Sequence, residues 1–257
     1  MSETGMTTTA VEQVGAVAVV RMRAGRANAL ARPLLEAIVG AFQRVDASGA
    51  RAVVIIGEAN AFSAGLALPD LIALDRPAMT EAIGLFETAM RTVLACPLPT
   101  VAAINGHAIA GGCVLALMCD ARIAAAGGSR IGLNEAQLGI GLPAIVVEPL
   151  RHRVSPSSLV RVALDGTLFS PDDAQRAGLV DEVVSPDRLE PRAVERAKEL
   201  AKHPAAYAQI KRALLRPILE TIDRASSHER EAWLDTWFSD DAQRTLRSAV
   251  DKIVNRS

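Results

Sequence analysis

Aromatic residues are scarce, at 3% of a 257-residue chain. Its core must therefore be built from Ala, Val, Leu and Ile, which suits tightly packed parallel strands and buried helices. Excess charge of either sign is also missing. The formal net charge is −1 and no basic block occurs, so the chain offers nothing that recommends a nucleic-acid partner. Cysteine is limited to Cys96, Cys113 and Cys119, all within apolar stretches, with neither CxxC spacing nor a histidine at zinc-ligand distance. They read as small buried hydrophobes in a reducing compartment, and no metal is expected. No segment approaches the ~18 uninterrupted apolar residues of a membrane helix. The first ten residues are polar and carry no apolar leader core. These absences describe a soluble, cytoplasmic protein with a short disordered start.

Half of the residues are hydrophobic and 22% are charged, enough for a sizeable core. Residues 16–22, 52–56, 100–104 and 122–126 are short apolar runs that read as strands, most of them buried in a parallel sheet. Residues 33–46 form a helix. Leu34, Leu35, Ile38, Phe42 and Val45 share one stripe, and Pro33 sits in the first turn. Residues 80–95 form another, ended by Cys96-Pro97. Gly111-Gly112 opens an almost wholly apolar helix. Ser170-Pro171-Asp172-Asp173 is a helix start with a Ser cap, Pro in the first position and a carboxylate in the third. Gly178 ends that helix, and residues 179–184 are extended. Beyond about Ser185 helical periodicity takes over, punctuated by Pro204 and Pro217. The chain thus divides into an α/β core over residues 1–190 and a helical region over 191–257. Surplus apolar surface on such a tail suits packing against another subunit.

Two strand-to-turn junctions stand out: Phe62-Ser63-Ala64-Gly65-Leu66, and the segment from Asn105 through Gly111-Gly112. Small residues at such a turn let the backbone approach a ligand and aim N–H groups at it. The second junction also opens a helix, whose free N–H groups favour negative charge. Neither is a phosphate loop, because GxGxxG is absent and no Lys-Ser/Thr follows the glycines.

The order of these motifs carries a resemblance. Phe-x-Ala-Gly at Phe62–Gly65, Ala-x-Asn-Gly at Ala103–Gly106, Ala-Gly-Gly-Cys at Ala110–Cys113, Cys119-Asp120, and Ala-x-x-x-Gly-Leu-Val ending at Val180 together resemble the enoyl-CoA hydratase/isomerase (crotonase) superfamily over roughly residues 12–250. The resemblance implies a spiral of ββα turns followed by a helical trimerisation region, a homotrimer or hexamer, and an acyl-CoA substrate. No cofactor is implied, since the CoA belongs to the substrate. It also implies that the backbone N–H groups of Leu66 and Gly111 form an oxyanion hole. Removing an α-proton from a thioester puts charge on its carbonyl oxygen, and each fixed donor stabilises that charge by about 3 kcal/mol. Ala64 and Leu68 would lie along the CoA, and Arg26 is a candidate phosphate contact. Trp237 and Phe238 are candidates for closing the acyl tunnel or capping CoA from a neighbouring subunit, with core packing as the alternative. His107 is a candidate pocket-lining residue, while Asp120 and Arg122 read as a structural pair. Ala67 departs from the family, where an Asp is common.

The family's hydratases use two glutamates. The first position here is Val114, lining the substrate but unable to activate water. The second is Glu135. One carboxylate beside an enolate can take a proton from one carbon and return it two carbons away, which moves a double bond without water. Apolar neighbours Ile131, Leu133 and Leu138 favour a raised pKa for it. Gly-Leu-Asn-Glu-x-Gln-Leu-Gly-Ile at Gly132–Ile140 also resembles the Δ3,Δ2-enoyl-CoA isomerases, which act in fatty-acid β-oxidation. The alternatives are hydratase or other enolate chemistry, and a non-catalytic acyl-CoA-binding module.

Overall fold

The computed structural model describes residues 8–255, apart from the side chains of Arg26, Asp46, Ala47 and Ser226. The expected disordered start falls largely on residues 1–7, outside the described residues. Strand β1 (Thr9–Val14) already begins at residue 9, and β2 (Val17–Met22) pairs with it antiparallel. There follow α1 (Arg32–Ala47), β3 (Ala52–Gly57), β4 (Ala61–Ser63), α2 (Leu68–Leu71) and α3 (Arg76–Leu94). Next come β5 (Thr100–Ile104), β6 (His107–Ile109), α4 (Gly111–Met118), β7 (Ala121–Ala125), β8 (Ile131–Gly132) and α5 (Glu135–Leu138). The chain ends with α6 (Ala144–Arg153), α7 (Pro171–Ala177), β9 (Glu182–Val184), α8 (Leu189–Leu200), α9 (Pro204–Trp237) and α10 (Asp240–Val254).

The large sheet runs β1-β2-β3-β5-β7-β9, and every neighbouring pair after the first is parallel. The small parallel sheet runs β4-β6-β8. Three times the chain passes from the large sheet to the small one and then into a helix. This is the expected spiral of ββα turns. Alternate residues of each strand face opposite sides. Ala18, Val20, Met22, Val53 and Ile55 join the main core. Val17, Val19, Val54 and Ile56 pack against Leu189, Ala193, Val194 and Ala197 of α8. With both faces covered, the strands carry no polar alternation.

Several local expectations need correction. The edge strand β1 is mostly exposed and is ordered by its pairing with β2 rather than by an apolar pattern of its own. Helix α3 starts at Arg76, not 80, because the Asp75 carboxylate accepts the Ala78 N–H at 2.9 Å and Pro77 fits the first turn. Pro217 lies inside α9 instead of ending it. An internal proline costs a helix about 3 kcal/mol, and burial of Leu215, Ile218 and Ile222 on the same helix offsets that.

Asp120 and Arg122 do not pair with each other. Asp120 lies just before β7 (Ala121–Ala125), and each of the two finds a partner distant in sequence. Arg122 meets Asp181 at 2.6 Å, and Asp120 accepts from Lys211 Nζ at 2.7 Å and from the Thr100 N–H at 2.9 Å. Lys211 also donates to the Leu98 carbonyl at 3.1 Å and is nearly buried, so it pins α9 to the sheet. Lys211→Met strands the Asp120 charge. We expect it to cost about 3 kcal/mol, read as a lower urea midpoint with an unchanged slope. An unchanged midpoint would show that the pair contributes nothing net.

Candidate active site

The first turn follows β4. Gly65 adopts φ +87°, and a Cβ there would lie 2.8 Å from the Ile109 carbonyl oxygen and 2.9 Å from the Gly111 nitrogen. Only glycine allows that approach. The turn's polar groups are spoken for in sequence. The Ala64 N–H donates to Ala27 O at 2.9 Å, and the Gly65 N–H donates to Ser63 Oγ at 3.2 Å. Ser63 Oγ in turn donates to Asn28 O at 2.7 Å. The next amide, Leu66, donates to no group among the described residues. Its carbonyl and that of Gly65 are taken by Leu68 N–H and Leu30 N–H, both at 2.8 Å, which holds the peptide plane.

The second turn joins β6 to α4. Ala110 stands at φ +51°, a region costly for any residue with a Cβ and one that marks over-determined backbone at functional sites. Its N–H is held by Gly132 O at 2.9 Å, and its carbonyl accepts from Val114 N–H as the first bond of α4. Gly111, the first residue of α4, has an N–H with no partner among the described residues. Gly112 packs so closely that a Cβ would lie 2.1 Å from Ser63 O. Two free amides, Leu66 and Gly111, are thus delivered side by side by turns in backbone contact.

They border a cavity of about 270 Å³. Of the residues expected at a site, Ala64, Leu66, Leu68, Gly111, Val114, Glu135 and Trp237 line it together. Phe238 does not; it lies one residue past the end of α9 and packs partly buried against the main core. The Arg26 side chain lies outside the described residues. His107 is exposed, its Nδ1 accepting from the Arg130 N–H at 3.0 Å, and it does not reach the cavity.

Glu135 is the only acid in the lining among the described residues, and it is 8% exposed. Its Oε2 is buried with no hydrogen-bond partner. Burial pushes its carboxyl up to about 7, opposed only by a hydrogen bond from its own backbone N–H. The lining also carries Val114, Ile140, Leu142 and Val146, which offer no hydrogen bond, and Asn134 and Trp237, whose Oδ1 and Nε1 atoms are buried without a partner among the described residues. Burial, and then the Glu135 charge, push the neighbouring Cys113 thiol far up, so it is no nucleophile. Among the described residues no cluster of three His, Cys, Asp or Glu side chains is arranged to hold a metal, and no helix is long and apolar enough to cross a membrane.

Sequence reasoning missed Ile83 and Phe86 of α3, Trp233 of α9, and Lys252 and Ile253 of α10, which complete the walls. Trp233 stacks on Trp237 at 5.3 Å between ring centroids. The i, i+4 spacing of the two tryptophans was a usable signal. For α10 no local signal existed, because its approach to α2 and α5 is a tertiary event. The site as assembled can hold a carbonyl oxygen with two N–H donors and present one protonatable carboxyl to the adjoining carbons.

Comparison with known proteins gives a consistent picture. A family model described as enoyl-CoA hydratase/isomerase matches residues 12–253. A probable enoyl-CoA hydratase of Mycobacterium leprae is 29% identical over 94% of this chain and 93% of its own. The mitochondrial enoyl-CoA delta isomerase 1 of Rattus norvegicus is 29% identical over 93% of this chain and 84% of its own. Human mitochondrial Δ3-Δ2-enoyl-CoA isomerase superposes with a TM-score of 0.92 at 26% identity, covering 97% of this chain and 99% of that one.

Proposed function

The chain belongs to the enoyl-CoA hydratase/isomerase family, and within that family we propose that it is a Δ3,Δ2-enoyl-CoA isomerase serving fatty-acid β-oxidation. The observation that carries this reading is that Glu135 is the single carboxylate in the cavity lining among the described residues, where a hydratase needs two. With the thioester carbonyl held by the Leu66 and Gly111 N–H groups, Glu135 takes the proton from C2. The C–H electron pair becomes a dienolate whose charge rests on the carbonyl oxygen between the two donors. Glu135 then gives the proton to C4, the electrons of the old C3–C4 double bond form the new C4–H bond, and the double bond settles between C2 and C3 beside the re-formed thioester. No water and no second acid enter. A carboxyl poised near 7 serves both halves, as base and as acid.

The same reading makes CoA part of the substrate rather than a cofactor, and the protein a homotrimer or hexamer of the cytoplasm. The exposed Ile210 and Leu214 of α9 support packing against another copy. The buried thiols of Cys113 and Cys119, not joined in a disulfide, suit a reducing compartment. The test is a paired assay. With a 3-enoyl-CoA, absorbance of the conjugated 2-enoyl thioester should grow; with a 2-enoyl-CoA, formation of 3-hydroxyacyl-CoA should be at least 100-fold slower, since Val114 cannot activate water. Fast hydration without isomerisation would replace this reading with a hydratase. Tight acyl-CoA binding with neither reaction would leave a binding module.

A further inference from the structure

Among the described residues, the buried side-chain atoms without a hydrogen-bond partner gather at one place. Glu135 Oε2, Asn134 Oδ1 and Trp237 Nε1 all belong to residues that line the catalytic cavity. The others are Nε and Nη1 of Arg122, which is not in that lining. Glu135 has its part in the proton transfer; Asn134 and Trp237 have none. A buried polar atom left unserved costs the folded chain stability, and each one in a native fold calls for a reason.

Trp237 is the sharper case, because it is 0% exposed. Its ring stacks on Trp233, and its carbonyl accepts from Gln243 Nε2 at 2.9 Å. The preceding residue, Thr236, accepts the Gly141 N–H at 2.9 Å through its hydroxyl, which ties the end of α9 to another part of the cavity wall. Phenylalanine would fill a core position without an orphan donor, so packing alone does not account for the indole nitrogen.

We propose that Trp237 Nε1–H and Asn134 Oδ1 recognise a hydroxyl group on the acyl chain, which makes hydroxylated acyl thioesters the preferred substrate class. The inference rests on the preceding section for an acyl thioester seated at the Leu66 and Gly111 amides beside Glu135. A hydroxyl accepts one bond and donates another, so it serves both orphan atoms. A ketone only accepts and leaves Asn134 Oδ1 without a donor. A carboxylate also only accepts, and it would share the cavity with Glu135. Carbons C2 to C4 must face Glu135, and 4- and 5-hydroxyacyl thioesters close to lactones, so the hydroxyl sits at C6 or beyond. The exposed Lys252 of the lining suits the CoA phosphates, and the buried Trp237 suits the acyl end.

The experiment is calorimetric binding of nonanoyl-CoA, its 6-, 7- and 8-hydroxy derivatives and its 6-, 7- and 8-oxo derivatives to the full chain. None of these saturated thioesters can isomerise and all share the CoA. Ratios of affinity within one protein therefore isolate the acyl oxygen. At least one hydroxylated ligand should bind about tenfold more tightly than nonanoyl-CoA and more tightly than its oxo counterpart, since a site built for a hydroxyl disfavours the analogue lacking it. In Trp237→Phe that preference should fall below threefold. The chain has two tryptophans. With both labelled by nitrogen-15, the Trp237 indole N–H resonance should move further downfield with the preferred ligand than with nonanoyl-CoA. That measurement uses the unmodified protein, so it decides the matter should Trp237→Phe not fold. A hydroxyl preference below threefold in the unmodified protein overturns the proposal. So does a preference that survives Trp237→Phe, an indole resonance indifferent to the hydroxyl, or an oxo ligand that matches its hydroxy counterpart. A hydroxyl preference in a protein that fails the paired assay removes only the isomerase assignment.

Discussion

Glu135→Gln should lower kcat for double-bond migration by about 10³-fold, within the 10²- to 10⁴-fold range of a general base, while acyl-CoA affinity stays within a few-fold. Glutamine keeps the shape but neither takes nor returns a proton. In the unmodified protein the catalytic rate should rise with pH through about 7, where the buried carboxyl ionises, and level off above. That limb should vanish in the variant. Stability should move the other way. The folded-state value of Glu135 lies above its ordinary 4.5 because burial penalises the charge. A raised carboxyl contributes stability that is complete below the ordinary value and is lost as pH rises through about 7. Glutamine carries no charge to desolvate, so at about pH 8 the variant should be more stable by an amount of the order of 3 kcal/mol, and at about pH 4 equal. Urea midpoints at the two pH values measure the gap. A variant that keeps full activity would mean that Glu135 is not the proton carrier; a stability advantage that does not depend on pH would mean that burial does not raise its carboxyl.

The second large effect belongs to a residue with no side chain. Gly112→Ala should cost 10²- to 10³-fold in kcat, the loss associated with one oxyanion donor. Its Cβ would stand 2.1 Å from Ser63 O and 2.9 Å from Ser63 Cβ. Ser63 cannot yield, because its hydroxyl bridges Asn28 O and the Gly65 N–H, and Asn28 Nδ2 donates to Ala61 O at 3.0 Å. The second turn must therefore back away, carrying the Gly111 amide with it. Gly111→Ala is the control. Its Cβ would meet the ends of two side chains, Phe86 Cε2 at 3.2 Å and Leu30 Cδ1 at 3.3 Å, which can shift by tenths of an ångström. We expect a loss of under tenfold there. Saturating-substrate kinetics on both variants, with folding checked by circular dichroism, decide the matter. Equal losses in the two would show that contact between the turns does not hold the donors in place.

Stability and activity pull apart at this site in a consistent way. Ala110 at positive φ, two amides without partners and a buried carboxyl are each costs to the folded chain. The spiral supplies what offsets them, through apolar strands covered on both faces.

Much of this was legible in the chain itself. Short apolar runs bounded by Gly and Pro marked the buried strands, since a strand covered on both sides carries no polar positions. The Ser170 cap, which accepts the Asp173 N–H at 3.2 Å, and the Gly178 stop were legible because caps and αL glycines act within one turn of helix. The paired small-residue turns, Val114 and Glu135 were legible as a motif order. What tertiary structure alone decided were relations between residues far apart. They include the Asp120–Lys211 pair in place of Asp120–Arg122, an unbroken α9 across Pro217, and the order of β1. They also include the walls contributed by Ile83, Trp233 and Lys252. Backbone conformation and periodicity are set by neighbours within a few residues, and so by sequence read locally. Burial, charge pairing and cavity shape depend on which surfaces the completed spiral brings together.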